Sequence, residues 1–293
     1  MKGIIYVNPF GEPKASVHFA TRLKDELSLL GVNVEIVDDG YTENTVASGK
    51  IHKDITCDFA VFFDKDKYLS ACLFKAGVRL FDTHAAIRLC DDKGETYIAL
   101  ANSGLNIPDT VFAPVCYNIF SKVNESHLRM IAEKLGYPVI VKESFGSMGK
   151  GVYKANDFDE LKTLAEELKL KPHLYQRFLP YRKGTDVRMI VVGGKFLCAM
   201  LRENDKDFRS NIALGGKGKP FSPDKEFIAA AEKCANILGL DYCGVDLLFG
   251  ENGKPYVCEV NSNAFIDEIE KITGVNVAKA YAEHIFTSVK GDK

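Results

Sequence analysis

Three residues toward the end of the chain carry the side chains best suited to hold a hard cation: Asp246, Glu259 and Asn261. Asp246 lies in the apolar run Cys243-Gly244-Val245-Asp246-Leu247-Leu248-Phe249, and the other two in Tyr256-Val257-Cys258-Glu259-Val260-Asn261. Between the runs, Gly250-Glu251-Asn252-Gly253-Lys254 has turn chemistry, so the two are expected to pair as antiparallel strands. Side chains alternate across a strand, which puts Glu259 and Asn261 on one face and lets Asp246 meet them across the ladder. Two carboxylates and an amide oxygen amid apolar residues are costly unless a cation neutralises them. Mg2+ is the usual ion where phosphates are handled. The plainer alternative is that Asp246 and Glu259 are solvent-facing strand residues.

A second group could bind anions. Gly146, Gly149 and Gly151 follow a strand within Ser144-Phe145-Gly146-Ser147-Met148-Gly149-Lys150-Gly151. Glycines there let backbone N–H groups approach a bound anion closely. The spacing is not that of a Walker A loop, because Lys150 is followed by Gly151 and not by Ser or Thr. A flexible turn is the bland reading. Lys142 closes an otherwise apolar strand, so its ammonium either snorkels to water or meets an anion such as a phosphate. Gln176-Arg177-Phe178 could set backbone groups against a purine edge, and Asp186 could accept hydrogen bonds from ribose hydroxyls. Each is also an ordinary polar surface residue if taken singly. Arg209-Ser210-Asn211 could bring a guanidinium to a transferring phosphoryl group, or could belong to a solvated charge run.

The elements that must position these groups alternate from the start. Strands are expected at Ile4–Val7, Val32–Val37, Cys57–Phe63 and Val78–Phe81, with a helix from Ala15 to Leu30. Alternation of this kind implies a small parallel α/β sheet, without the G-x-G-x-x-G fingerprint of a dinucleotide site. Residues 83–102 read as helical with a break at Asp91-Asp92. Further helices are expected over Ser126–Leu135 and from Asp157 to Leu170, and strands over 137–142 and 173–178. The segment 179–185 reads as a hinge, and 186–201 as a hairpin turning at Gly193-Gly194. Residues 202–221 read as a mobile loop. A helix is expected to start at Ser222, with Pro223 in its first position, and to run to Gly239. A last helix ends near Val289. Three units follow: 1–90, 91–178 and 179–293.

Composition limits the function. The chain has 293 residues, 46% apolar and 27% charged, with a formal net charge of -2, as in an ordinary globular protein. There is no basic field for nucleic acid, and no apolar run reaches the length of a membrane helix. The N-terminus reads as a buried strand and not as a signal peptide. The eight cysteines are scattered within apolar runs, which points to reduced thiols in a cytoplasmic protein. No histidine has a partner at metal-ligand spacing.

The order of the signals is more specific than any one of them. Asp92-Lys93 is followed by Ile107-Pro108-Asp109-Thr110, Gly136–Lys142, the glycine loop, Gln176, Asp186 and Val191–Lys195. Phe208-Arg209-Ser210-Asn211, Gly244-Val245-Asp246 and Glu259-Val260-Asn261-Ser262 complete the series. Over residues from about 85 to about 285 the chain resembles the ATP-grasp superfamily, and specifically the RimK-type ligases, which append amino acids such as glutamate to carboxylates. The resemblance implies an α/β (α+β overall) ATP-grasp fold preceded by a small parallel-sheet domain.

The same resemblance implies the roles. Lys93 and Lys142 would contact ATP phosphates under a flap formed by Gly146, Ser147, Met148, Gly149 and Gly151. Gln176, Arg177 and Phe178 would flank adenine and Asp186 the ribose. Arg209 and Asn211 would line the reacting centre, and Asp246, Glu259 and Asn261 would hold one or two Mg2+, or Mn2+. The partners would be a small-molecule carboxylate and an amino acid, or a peptide or protein tail. Related enzymes often form homo-oligomers, although no interface signal stands out here. Three departures bear on specificity: Arg177 stands where Glu is common, Phe145 and Met148 replace polar flap residues, and Asn263-Ala264-Phe265 replaces a Ser-Pro-Gly turn. The expected reaction is an ATP-driven ligation through an acyl phosphate. The alternatives are a small-molecule kinase on the same fold and a nucleotide-binding regulatory protein.

Overall fold

The computed structural model describes residues 1–10, 13–39, 45–52 and 57–291. The chain opens with β1 (Lys2–Val7), α1 (Pro13–Leu29), β2 (Asn33–Asp38) and the small hairpin β3 (Thr45–Ala47) and β4 (Lys50–His52). Next come β5 (Phe59–Phe63), α2 (Lys67–Lys75) and β6 (Leu80–Phe81). The four longer-range strands form a parallel sheet in the order β2-β1-β5-β6, as the alternation of strands and helices implied. α3 (His84–Asp91) and α4 (Lys93–Leu100) meet at Asp92, whose carboxylate caps α4 by accepting from the N–H groups of Gly94 and Glu95. The expected break therefore places Lys93 in the first turn of a helix.

A central lobe follows: β7 (Thr110–Phe112), α5 (Glu125–Leu135), β8 (Val139–Glu143), β9 (Val152–Ala155), α6 (Phe158–Leu168) and β10 (His173–Arg177). Its strands form an antiparallel sheet in the order β7-β10-β8-β9. The last part contains β11 (Thr185–Val192), β12 (Lys195–Glu203), β13 (Lys217–Pro220), α7 (Lys225–Leu238), β14 (Tyr242–Phe249), β15 (Pro255–Asn261), α8 (Asp267–Thr273) and α9 (Val277–Gly291). Its sheet runs β13-β12-β11-β14-β15, all antiparallel.

Two local expectations are corrected. Arg202 and Glu203 continue β12, and Lys217–Pro220 adds an edge strand where a loop was expected. Glycine and proline hid that strand. Proline is tolerated at an edge, and at Gly218 a Cβ would come within 2.4 Å of Ile272. The helix expected at Ser222 begins at Lys225, because Asp224 is the residue that caps the N–H groups of Glu226 and Phe227.

The cores show how the parts are joined. Phe19 of α1 stacks on Phe63 at 4.3 Å and meets the edge of Tyr242 at 5.3 Å, and Tyr242 stacks on Tyr281 of α9 at 5.0 Å. One face of the N-terminal sheet thus shares a core with the C-terminal part, reinforced by the Arg22–Glu270 ion pair at 2.8 Å. The central lobe encloses its own core of Leu128, Ile131, Val139, Val141, Leu161, Ala165 and Tyr175.

Candidate active site between the central lobe and the C-terminal sheet

The register of β14 and β15 sets Asp246 opposite Glu259 and Gly244 opposite Asn261. A shift between Asp246 and Leu247 leaves Cys258 as an extra residue, so Leu247 pairs with Val257. Strict alternation would have put Val257 and Glu259 on one face. The bulge sends Val257 into the core and keeps Glu259 beside Asp246.

Asp246 is 2% exposed and is already neutralised. Arg188, its register partner on β11, grips it with Nε on Oδ1 and Nη2 on Oδ2, the latter at 2.8 Å. Arg202 of β12 reaches the same Oδ2 at 2.8 Å. Arg202 also pairs with both oxygens of Asp186, at 2.7 and 2.6 Å. Burial would raise the Asp246 pKa, but the Arg188 and Arg202 guanidiniums outweigh it and hold the carboxyl below the usual range. Arg188 and Arg202 were not singled out in the sequence. The signal that could have found them is the requirement of a buried carboxylate for a counter-charge, with Arg188 on the same strand face as Asp186.

The opposite wall carries surplus positive charge. Lys142 of β8 is 5% exposed, and its Nζ donates to the Tyr97 hydroxyl at 3.1 Å, with the Cys258 sulfur at 3.9 Å. Tyr97 in turn donates to the Cys258 carbonyl. Burial pushes the Lys142 pKa down, but Cys258, Tyr97 and Glu259 push it further up, so the group is an ammonium. Burial also raises the pKa of Cys258 to about 11 and that of Tyr97 above its ordinary value. Among the described residues Lys142 has no carboxylate at ion-pair distance. Lys93, 7% exposed, donates to the Gly146 carbonyl at 2.8 Å and stands 3.5 Å from Glu259 Oε1.

The glycine loop closes over this wall. Gly149 (φ +75) could not carry a side chain, since a Cβ would lie 2.7 Å from Asn211 Oδ1. Arg209 Nη1 donates to the carbonyls of Gly149 at 2.9 Å and Val152 at 3.3 Å, while Asp207 holds the same guanidinium at 2.8 Å. Arg209 therefore staples the loop to the C-terminal part and is not a free cation. Arg177 is likewise committed, to Asp109 at 3.0 Å and the Lys134 carbonyl at 2.9 Å. The Gln176 amide donates to Thr110 at 3.0 Å.

Two adjoining cavities result. The first, with about 840 Å³ of open space, is lined by Lys93, Lys142, Gly149, Gln176, Arg177, Phe178, Asp186, Arg209, Asn211, Asp246 and Glu259. The second, with about 1790 Å³, is lined by Ser147, Met148, Asn211, Glu259 and Asn261, with Arg188 and with Asn8 and Asp64 of the N-terminal sheet. Gly146 and Gly151 line neither. Glu259, Asn211 and Arg202 stand on the boundary shared by both.

No cluster of three or more His, Cys, Asp or Glu suited to a metal occurs among the described residues. Glu259 and Asn261 still offer oxygen donors at the junction of the two cavities. That set, with the Asp246 lone pairs left by the arginines, fits Mg2+, which takes one or two carboxylates and completes its shell with phosphate and water.

A family model described as the RimK-like ATP-grasp domain matches residues 90–285. Beta-citrylglutamate synthase B of Danio rerio is 34% identical over 226 residues, 76% of this chain and 54% of that protein. N-acetylaspartylglutamate synthase A of Homo sapiens is 34% identical over 223 residues, 75% of this chain and 56% of that protein. The chain thus spans about half the length of these curated relatives. A probable alpha-L-glutamate ligase of Maridesulfovibrio salexigens is 34% identical over 212 residues, covering 71% and 67%. Among solved structures, a RimK domain ATP-grasp protein from Sphaerobacter thermophilus superposes with a TM-score of 0.74 at 19% identity, covering 97% of this chain and 99% of that one. D-alanine–D-alanine ligase from Bacillus anthracis, crystallised with ATP, gives 0.73 at 19% identity, with both chains covered completely at 100%. At such identities the likeness is one of fold.

Proposed function

The chain belongs to the RimK-like ATP-grasp family, and from that premise we propose that it is an ATP-dependent carboxylate–amine ligase, with glutamate as the amine to try first. Glutamate appears in the names of the relatives above. The observation that carries the reading is the buried Lys142 ammonium, facing the first cavity beside Lys93 with no carboxylate at ion-pair distance among the described residues. A buried cation in that state calls for an anionic ligand, and a triphosphate supplies one.

In this reading the central lobe, 91–178, lies over the nucleotide with its flap. ATP lies in the first cavity, its phosphates against Lys142 and Lys93 and toward Glu259, its base near Gln176 and Phe178. The Arg177 side chain, held by Asp109, leaves the base to backbone groups. Asp186 keeps a ribose contact through whatever lone pairs Arg202 leaves. The substrate acid lies in the second cavity near Arg188. A carboxylate oxygen attacks the γ-phosphorus and ADP departs. The amine nitrogen then attacks the carbonyl carbon, and phosphate leaves with that oxygen while the nitrogen loses a proton. Lys142 stabilises the charge moving onto ADP, and Asn211 at the boundary orients the acyl group. Arg209 holds the flap down, which keeps water from the acyl phosphate. Glu259, Asn261 and Asp246 would hold Mg2+, or Mn2+ with the same taste for oxygen, and the ion would supply charge neutralisation between phosphates. Eight free cysteines support a cytoplasmic setting, and no helix among the described residues is long and apolar enough to cross a membrane.

The test is ADP release by purified protein with ATP, glutamate and a panel of acids carrying 18O in the carboxylate. Amine-dependent release, with label appearing in phosphate, is expected. Stable phosphorylated product without any amine would select a kinase instead.

A further inference from the structure

Behind the nucleotide wall the central lobe has a third hollow, with about 900 Å³ of open space including its mouth, that the proposed reaction does not use. Strand β10 separates the two spaces. Gln176 faces the first cavity, while His173 and Tyr175, on the opposite face of the strand, line the hollow. The arch between β7 and α5 roofs it, and the roof is built the wrong way round for a core. The large side chains of Tyr117 and Phe120 point to solvent, 92% and 89% exposed. The small ones of Ala113, Pro114 and Cys116 line the hollow. The chain therefore leaves the hollow unfilled by its own bulk.

The polar groups are sorted by depth. On the floor, His173 Nδ1 meets the Lys171 carbonyl at 2.8 Å, so that nitrogen carries the proton and Nε2 accepts from Tyr175 at 2.9 Å. Burial lowers the His173 pKa, which leaves a neutral floor beside Leu128 and Ala165. The rim carries Lys122 and Lys169, with the Glu166 carboxylate beside them accepting from the Val123 N–H at 2.9 Å. Lys169 is held by Glu166 at 2.9 Å and the Ser121 carbonyl at 2.7 Å, while exposed Lys122 makes no ion pair among the described residues. At the start of α5, His127 Nε2 is buried with no hydrogen-bond partner among the described residues.

We propose that this hollow is a second binding site, for an organic acid whose apolar body fills the space under the arch and whose anionic group meets Lys122 and His127 at the rim. An apolar body replaces the missing core contacts, and the acid answers the excess of donors. The site stands on the back of the strand that presents Gln176, and it does not depend on the ligase reading.

Calorimetry on the full chain with 4-phenylbutyrate and its neutral counterpart 4-phenylbutan-1-ol tests this. The acid is expected to bind at least about tenfold more tightly than the alcohol. Lys122→Glu, at an exposed position, is expected to remove that preference. Cys116→Phe, which fills the hollow from the roof, is expected to abolish binding of both compounds without changing ATP affinity. Equal binding of acid and alcohol, acid binding that survives both substitutions, or no binding of the acid at about 10 mM would each overturn the proposal.

Discussion

The two walls of the first cavity bury charge in opposite ways. On the C-terminal sheet, Asp186 and Asp246 face Arg188 and Arg202, so two carboxylates meet two guanidiniums with bidentate geometry. On the facing side, Lys142 and Lys93 meet a tyrosine hydroxyl and a backbone carbonyl, with Glu259 3.5 Å from the Lys93 ammonium. The first wall is neutralised within the protein. On the second, Lys142 has no carboxylate at ion-pair distance among the described residues. Burial alone does not separate the two cases, since Asp246 and Lys142 are both nearly inaccessible; the partners do.

Substitutions that swap these behaviours test the contrast. Arg202→Ala strands the buried Asp186 carboxylate and removes one of the two guanidiniums on Asp246, and is expected to lower stability by about 3–5 kcal/mol, measured as a shift in urea midpoint. Lys142→Ala is expected to leave that midpoint unchanged or raised, while lowering kcat/KM by about 10³-fold. If Lys142→Ala unfolds the protein as Arg202→Ala does, the two walls are alike. Glu259→Ala, at the boundary, is expected to reduce kcat about 10²-fold with the fold intact and to raise the Mg2+ concentration needed for half-maximal rate. Removing the flap staple with Arg209→Ala is expected to raise KM for ATP about tenfold, with a smaller change in kcat. The smallest effect concerns pH. Asp246 has a folded pKa below its unfolded value, so its stabilisation is full above the ordinary carboxylate range and is lost as pH falls through the folded value. Asp246→Asn is therefore expected to flatten the acid limb of the stability–pH curve and to leave the neutral region parallel to wild type.

Much of this was legible in the sequence because it is local. The parallel sheet, the break at Asp92 and the antiparallel hairpin of Asp246 and Glu259 follow from period and turn chemistry. The bulge at Cys258 was not legible, since an inserted residue leaves no mark on an alternating pattern. Nor were the partners of Asp246: Arg188 lies 58 residues away and reaches it only through the pairing of β11 with β14. Arg202 looks like the start of a polar loop in the sequence because β13, which extends the sheet beyond it, is written in glycine, lysine and proline. The commitment of Arg177 and Arg209 to Asp109 and Asp207 is also invisible in one dimension, although the second pair is only two residues apart.

The most direct measurement compares the affinities of ATP and adenosine for the wild-type chain and for Lys142→Met, by calorimetry without the other substrates. The wild type is expected to prefer ATP by at least about 100-fold, and Lys142→Met to lose most of that preference while binding adenosine as before. An ATP preference left intact by the substitution would contradict the assignment of this buried ammonium to the phosphates.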